Sequence, residues 1–301
     1  MMSEWTIPVK TPLLDRLKDE ILIANGAMGT SLAARGLKLT NSAIANVEHP
    51  EAVRDVFASY RDAGALVFQS NTFVANRPML EHAGYGARHD EINRAGLRLA
   101  REAIGDDAYL AANFGPTGWL LQPLGTATAE QVAAVYEAEA RVLLAEGPDF
   151  VLCETFEALD ELEAAVGGIR AAGLSVPLAI TFSFSQPSGR SMMGVTPRQA
   201  AETMVALGAD IVGANCGLPE VTVAALRDIA DVTDKPLMVQ ANAGIPQIVS
   251  GETCFSGTPA DAAALAEESA VLGARIIGGC CGTTPDHIRA IAAAVSPSRR
   301  T

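Results

Sequence analysis

Short apolar runs recur along the whole chain, and each is followed by a longer stretch whose apolar residues have helical spacing. Eight such runs are present, at residues 21–23, 66–68, 109–111, 150–152, 178–180, 211–212, 237–239 and 276–277. The runs are continuous rather than alternating, which is typical of parallel strands that are buried on both faces of a sheet. The pattern therefore predicts eight parallel strands connected by helices.

The segments between these runs contain clear helix signals. In residues 131–146 the apolar residues Val132, Tyr136 and Leu143 recur at helical spacing, and the pattern places Glu137 and Glu139 on the outer face. A similar pattern occupies residues 161–170. Thr-Pro pairs at 196–197, 258–259 and 284–285 predict three helix starts, because threonine can cap a helix and proline suits its first position.

Eight strand–helix units in about 300 residues match the usual size of a (β/α)8 barrel. The chain is 49% hydrophobic and contains no evident linker, so we predict an α/β fold, a single TIM barrel domain over 1–301 with a core of about 20–295. The alternative, an open doubly wound sheet, would normally carry a glycine fingerprint after its first strand, and the GAMG at 26–29 does not match it. Longer inserts at about 36–64, 70–88 and 114–128 are expected at the carboxyl rim, where barrel sites are built.

The charge balance excludes some partners. The chain has 22 Lys and Arg against 35 Asp and Glu, a formal net charge of -13, whereas a phosphate-backbone binder needs a positive field. No apolar stretch approaches the roughly 18–20 residues that span a bilayer, and the first residues lack a signal-peptide pattern. We therefore expect a cytoplasmic protein with no nucleic-acid and no membrane partner.

Three of the five cysteines follow predicted strands that should end at one rim. Cys216 follows the sixth strand, and the adjacent Cys280 and Cys281 follow the eighth. Three thiolates can hold a zinc ion and leave its fourth position open, as catalytic zinc sites require. The alternative is a buried Cys216 and an unrelated redox pair. Of the other two, Cys153 is expected in the core and Cys254 in a turn-rich loop.

Several ordered motifs resemble those of the homocysteine S-methyltransferase family, which includes the homocysteine domain of cobalamin-dependent methionine synthase and the betaine-dependent enzymes. They are NGAMGT at 25–30, SNTF at 70–73, GPTG at 115–118, ETF at 154–156, GANC at 213–216 and GGCCGTTP at 278–285. The similarity runs from about residue 20 to 295. The resemblance implies a zinc-bearing (β/α)8 barrel that methylates the thiolate of homocysteine to give methionine.

The resemblance also implies roles for individual residues. Zinc would be held by Cys216, Cys280 and Cys281, with the homocysteine sulfur in the open position; a thiol that coordinates zinc is deprotonated, so no general base is required. The remaining implied substrate-site residues are Glu154 for the amino group, the backbone amides of Ala27, Met28 and Gly29 for the carboxylate, and Asn242, which can occupy the fourth zinc position when homocysteine is absent. One position departs from the family pattern, since Asn25 stands where an aspartate is usual.

The methyl donor is left open between a methylcorrinoid such as methylcobalamin and a small onium compound (betaine, S-methylmethionine or dimethylsulfoniopropionate). An animal-type betaine cage is disfavoured, because Val74 and Thr155 stand where that enzyme carries cage tyrosines. A corrinoid would be expected on a separate carrier protein, since no further module follows the barrel in 301 residues. There are two alternative functions. One is a thiol-based redox or metal-sensing barrel without turnover, and the other is an aldolase, for which Lys235 stands at the wrong rim.

Overall fold

Ten strands are present in residues 10–249 and 252–296, the part of the chain that the computed structural model describes. They are β1 (Leu22–Ile23), β2 (Val67–Gln69), β3 (Tyr109–Phe114), β4 (Phe150–Phe156), β5 (Leu178–Ser183), β6 (Ile211–Asn215), β7 (Leu237–Ala241), β8 (Pro246–Val249), β9 (Glu252–Phe255) and β10 (Ala274–Gly279). Each of the eight predicted apolar runs forms one of these strands. The two additional strands, β8 and β9, pair as an antiparallel hairpin that follows β7.

The helices alternate with the strands. They are α1 (Leu13–Arg16), α2 (Met28–Ala34), α3 (Ala45–Glu48), α4 (Pro50–Asp62), α5 (Arg77–His82), α6 (His89–Ile104), α7 (Ala129–Leu144), α8 (Leu159–Ala171), α9 (Pro197–Ala206), α10 (Pro219–Ala230), α11 (Pro259–Val271) and α12 (Pro285–Val295), with short 3-10 helices at Ser42–Ile44 and Gly86–Arg88. The three Thr-Pro pairs begin α9, α11 and α12, as predicted. Among the described residues, no helix combines the length and apolar character that crossing a membrane needs.

The other eight strands form one parallel sheet that closes on itself. Their order is β1-β10-β7-β6-β5-β4-β3-β2. The last gap is closed by a parallel bridge between Ala24 and Val67, where the N–H of Asn25 donates to the carbonyl oxygen of Val67 at 2.9 Å. The predicted (β/α)8 barrel is therefore confirmed.

The barrel interior is apolar at the amino ends of the strands, its lower end, and polar at their carboxyl ends, its upper end. Interior positions are occupied by a buried cluster that includes Val67, Ala111, Leu152 and Met238, and α1 closes the lower mouth with Leu13. Because side chains alternate along a strand, the residue two positions after each of these four also points inward. These next residues are all polar: Gln69, Asn113, Glu154 and Gln240. The carboxyl end of the barrel thus carries a ring of polar side chains above a layer of apolar ones.

Three sequence predictions differ from the structure. The insert placed at 36–64 is shorter, because Pro50–Asp62 forms the amphipathic helix α4 that buries Phe57 and Tyr60 against the sheet. Cys254 lies exposed in β9 of the hairpin rather than in a turn-rich loop. Glu139 is fully buried in α7, although the helical pattern placed it on the outer face.

The other predicted positions agree with the structure. Cys153 is fully buried in the core between the sheet and the helices. The insert at 114–128 has no helix, whereas the insert at 70–88 contains α5 and a 3-10 turn.

Candidate active site

A cavity of about 310 Å³ opens at the carboxyl ends of the barrel strands. Its wall combines the end of β4 at Glu154, the segment that begins α2 at residues 27–30, and the cysteine segments that follow β6 and β10. No histidine or lysine lies among the described residues that line it. The polar ring of the barrel therefore forms the floor of a site that contains thiols and one carboxyl group.

The side chains of Cys216, Cys280 and Cys281 converge at the edge of this cavity. Their Sγ atoms all lie within 4.8 Å of one another, and the three thiols are free and half-buried. Tetrahedral zinc bound through sulfur at about 2.3 Å separates its sulfur ligands by about 3.8 Å. The sulfur cluster therefore supplies the donor type that zinc prefers, at separations that do not exceed 4.8 Å.

The backbone turns sharply where these cysteines leave their strands. Cys216 has a φ of 57°, a left-handed conformation that a residue with a side chain adopts only when its surroundings enforce it. The N–H of Cys216 donates to the carbonyl oxygen of Gln240 at 3.0 Å, and the N–H of Cys280 donates to that of Ala241 at 2.8 Å. Gly282 follows with a φ of 80° and packs against the ring of Phe255, where a side chain would not fit. Both cysteine segments are therefore fastened to β7, which lies between their strands.

The thiols influence one another's ionisation. Hydrogen bonds from Cys216 and Cys280 hold the pKa of Cys281 well below its usual value. Hydrogen bonding to Cys216 and Cys281, together with burial, raises the pKa of Cys280 well above its usual value. The cluster thus stabilises one thiolate by itself, and ionising its other thiols requires a nearby cation.

Asn242 lies between the two cysteine segments. Its Nδ2 donates to the carbonyl oxygen of Cys216 at 3.2 Å, and its Oδ1 accepts the N–H of Cys281 at 3.0 Å. The side chain is not among those that line the cavity. Both polar ends of the amide are therefore engaged by the backbone of the cysteines.

Glu154 is the carboxyl group of the cavity. It is 9% exposed at the end of β4, where Asn113 Nδ2 donates to Oε2 at 2.7 Å and Asn215 Nδ2 lies 3.3 Å from Oε1. Burial raises the pKa of Glu154 to about 7, and the negative charge of Cys281 contributes in the same direction, while the hydrogen bond from Asn113 opposes them. A cation beside this carboxyl group would favour its ionised form.

The residue after this carboxyl group has a strained backbone. Thr155 has a φ of 62°, which is costly for a β-branched side chain. Asn215 holds it there, since its Oδ1 accepts the N–H of Thr155 at 3.1 Å and its Nδ2 donates to the hydroxyl oxygen at 2.6 Å. Asn215 immediately precedes Cys216, so one residue links the carboxyl group to the sulfur cluster.

The segment 27–29 lines the opposite part of the cavity. Ala27 precedes the first turn of α2 and provides no side-chain cap for the amides of that turn. The hydroxyl of the buried Tyr60 lies 3.0 Å from the carbonyl oxygen of Ala27 and 2.7 Å from that of Thr283. Backbone amides with no side-chain cap thus border the cavity, on a segment that Tyr60 fastens to the loop after Cys281.

Beside Glu154, the floor of the cavity is formed by uncharged amides that hydrogen-bond to one another. Gln69 Nε2 donates to Gln240 Oε1 at 2.6 Å, and Gln240 Nε2 reaches the carbonyl oxygen of Asn25 at 3.3 Å. Asn25 Oδ1 accepts the N–H of Gln69 at 3.1 Å. The amide at position 25 therefore uses its acceptor oxygen within the barrel and adds no charge to the site.

The structure brings together most of the residues that the sequence singled out. Those lining the cavity are Ala27, Met28, Gly29, Glu154, Cys216, Cys280 and Cys281, with Asn242 directly behind the cysteines. Sequence reasoning missed Asn113, Asn215, Gln69 and Gln240 as site residues. The sequence does contain a signal for Gln69, Asn113 and Gln240. Each is a polar residue that follows a buried interior residue of its strand by two positions.

Comparison with known proteins yields one consistent set of relatives. The family model described as homocysteine S-methyltransferase matches residues 22–295. A methionine synthase from Mycobacterium tuberculosis is 32% identical over 96% of this chain, which spans 26% of that protein. Betaine–homocysteine S-methyltransferase 1 from Bos taurus is 32% identical over 97% of this chain and is covered over 76% of its own length.

A solved structure agrees with these relatives. The metallated form of the homocysteine methyltransferase MmuM from Escherichia coli superposes with a TM-score of 0.79 at 27% identity, and the match covers 94% of this chain and 99% of that one. The chain thus spans about a quarter of the length of the mycobacterial methionine synthase but nearly all of the Escherichia coli MmuM chain. The family resemblance that the motifs indicated is confirmed.

Proposed function

Because the chain belongs to the homocysteine S-methyltransferase family, we propose that it transfers a methyl group to the sulfur of homocysteine and so forms methionine. We further propose that residues 1–301 act as one homocysteine-binding barrel domain, with zinc held by Cys216, Cys280 and Cys281. The observation that carries this function is that the three sulfur atoms, within 4.8 Å of one another, share a cavity with the buried carboxyl group of Glu154.

The reaction requires a thiolate. A free alkyl thiol has a pKa of about 8.5 and is only a few per cent ionised at neutral pH. Zinc bound to the three cysteines would hold the substrate sulfur in its ionised form. A lone pair of that sulfur then forms the new S–C bond, and the electrons of the broken bond leave with the donor as an amine, a sulfide or cobalt(I). The thiol proton is released to solvent when the substrate binds, so a cavity without a histidine suffices.

The chain's own residues orient the amino acid part of the substrate. Glu154 accepts hydrogen bonds from the ammonium group, whose positive charge offsets the cost of burying a carboxylate. The backbone amides of Ala27, Met28 and Gly29 donate to the carboxylate. The two charged ends of homocysteine are thereby separated across the cavity, which directs the sulfur towards the cysteines.

Asn242 positions the metal ligands in this proposal. Its amide links the carbonyl oxygen of Cys216 to the N–H of Cys281. The Oδ1 that accepts the N–H of Cys281 has a second lone pair, which would be available to the fourth metal position when homocysteine is absent.

The donor is either a methylcorrinoid, presented by a separate carrier protein, or a small onium compound. Phe73 is the one aromatic residue among the described residues of the cavity wall, so a quaternary ammonium group would meet no aromatic cage there. The relatives include enzymes whose names specify betaine and one whose name specifies methionine synthesis. Both donor classes therefore belong in the test.

The test measures methionine formation by the zinc-loaded full chain from homocysteine. Methylcobalamin, betaine, S-methylmethionine and dimethylsulfoniopropionate are offered separately, with Cys281→Ala as the control that lacks one metal ligand. Turnover with one donor supports the function and identifies its donor class. Failure with all four by a protein that still binds zinc and homocysteine supports a carrier-bound corrinoid. Reversible oxidation of Cys280 and Cys281 without zinc binding would instead support the redox or metal-sensing alternative.

A further inference from the structure

Asn113 has an acceptor atom that nothing in the protein satisfies. The residue is 2% exposed, lies in β3 and lines the cavity. Its Nδ2 donates to Glu154 Oε2 at 2.7 Å, whereas its Oδ1 is buried without a hydrogen-bond partner. An ionised carboxylate only accepts hydrogen bonds, so it obliges the amide to present its NH2 group to Glu154. The amide orientation therefore leaves Oδ1 as the unpartnered end.

The backbone of Asn113 is held in place by the SNTF motif. The N–H of Asn113 donates to Ser70 Oγ at 3.2 Å, and the hydroxyl of Thr72 donates to the carbonyl oxygen of Asn113 at 2.6 Å. Ser70 Oγ and Thr72 Oγ1 lie 2.8 Å apart. Because both backbone groups are fixed, the side chain cannot move far from Glu154 and the cavity. The motif thus has a role in positioning this amide.

We propose that Asn113 is a specificity residue for the α-amino group of the substrate, whose ammonium donates to Asn113 Oδ1 while it also donates to Glu154. This inference rests on the proposed function, and it adds a second, neutral acceptor beside the carboxylate. An ammonium group carries three N–H donors, so one acceptor cannot satisfy it in a buried site.

The unpaired acceptor explains how the site can reject thiols that lack the amino group. A buried polar atom without a partner costs free energy, and a ligand that supplies the missing donor removes this cost. A thiol without an amino group would leave Asn113 Oδ1 without a donor and the Glu154 carboxylate without a positive partner, with only its hydrogen bonds to Asn113 and Asn215. Sites built to hydrogen-bond one substrate group discriminate strongly against analogues that lack it. Preference for an α-amino thiol is therefore a property of the Asn113–Glu154 pair.

The experiment compares two thiols on the zinc-loaded full chain by isothermal titration calorimetry. Homocysteine carries the amino group, and 4-mercaptobutanoate lacks it but keeps the same carboxylate and thiol. Asn113→Leu should weaken homocysteine binding by about 10- to 100-fold, because the ammonium loses one acceptor and Glu154 loses the hydrogen bond that Asn113 donates to it. The affinity for 4-mercaptobutanoate should change by less than about threefold, because Asn113 has no donor to accept from that ligand.

The outcomes separate this inference from the function on which it rests. If the wild-type protein does not bind homocysteine, both are overturned. If it binds homocysteine but Asn113→Leu weakens the two thiols equally, or weakens neither, only the role of Asn113 is overturned. Asn113→Ser, whose shorter side chain lacks the amide oxygen, provides the same comparison should the leucine variant fail to fold, as judged by thermal denaturation.

Discussion

The side-chain Oδ1 of Asn242 accepts the backbone N–H of Cys281 at 3.0 Å, although 39 residues separate them in the chain. The same amide donates to the carbonyl oxygen of Cys216. One side chain thus joins the two segments that supply the sulfur cluster. Since residues that hydrogen-bond to metal ligands orient those ligands, this amide should influence metal affinity through the positions of Cys216 and Cys281, in addition to any contact of its own with the metal.

Asn242→Ala should weaken zinc affinity by about 10- to 100-fold, because the two cysteine segments lose their shared link. Competition with a chromophoric chelator measures the affinity. Asn242→Asp keeps the acceptor for Cys281 but loses the donor to Cys216, so an intermediate affinity is expected. Unchanged zinc binding in the alanine variant would show that the backbone alone sets the sulfur positions.

Cys281→Ala should remove both bound zinc and methyl transfer while the barrel stays folded, since the cluster lies at the rim and the apolar core does not depend on it. Elemental analysis gives the zinc content, and far-UV circular dichroism reports the fold. Cys254→Ala is the matched control, because this cysteine is exposed in β9 and should leave the zinc content unchanged. Full zinc occupancy in Cys281→Ala would refute the ligand assignment.

The barrel could be predicted because its strands are buried on both faces and therefore appear as continuous apolar runs. Helix α4 was missed as a separate element, since the short helices that precede it made residues 36–64 resemble one long insert. The hairpin that contains Cys254 gave no comparable signal, because its strands are short and pair only with each other. Glu139 was placed outside by helical spacing, which cannot distinguish the solvent face of α7 from its contact with neighbouring helices.

The sulfur cluster of the site could be predicted from motifs at the strand ends. The hydrogen-bond partners of Glu154 could not be predicted, because Asn113 and Asn215 lie on other strands and meet the carboxyl group only when the barrel closes. Asn242 was singled out for contact with the metal, but its bonds to the cysteine backbone depend on the turns after β6 and β10. Such contacts follow from the tertiary fold rather than from local sequence.

The buried position of Glu139 leads to a prediction about stability. Neither of its carboxylate oxygens has a hydrogen-bond partner, and burial raises its pKa well above the usual value. The folded protein therefore keeps the proton, whereas the unfolded chain releases it above about pH 4.5. The free energy of unfolding should thus fall as the pH rises through this range, since the folded state binds more protons.

Glu139→Met should raise the free energy of unfolding above about pH 4.5, by about 1.4 kcal/mol per pH unit for as long as folded Glu139 keeps its proton, and the gain should shrink towards about pH 4.5. Denaturant titrations at several pH values measure the effect. Glu137→Met on the same helix is the control, because Glu137 is half-exposed and pairs with Arg141, so its replacement should show no such pH-dependent gain. A gain for Glu139→Met that is equal at all pH values would point to packing rather than proton release.

Glu154 should make recognition of the amino group dependent on pH. Its pKa of about 7 in the free protein, raised first by burial, means that the carboxyl group becomes neutral as the pH falls through this value. The substrate ammonium stays protonated between about pH 5.5 and 7.5, so over this range only the protein partner changes charge. The preference for homocysteine over 4-mercaptobutanoate should therefore decrease as the pH is lowered, by up to about tenfold per unit.

Taking the ratio of the two dissociation constants cancels the thiol proton that both ligands release. Glu154→Gln should bind homocysteine more weakly and show a low ratio that does not change with pH, because its amide cannot become anionic. A wild-type ratio that stays constant from about pH 5.5 to 7.5 would exclude Glu154 as the ammonium partner, since loss of its charge must weaken that contact.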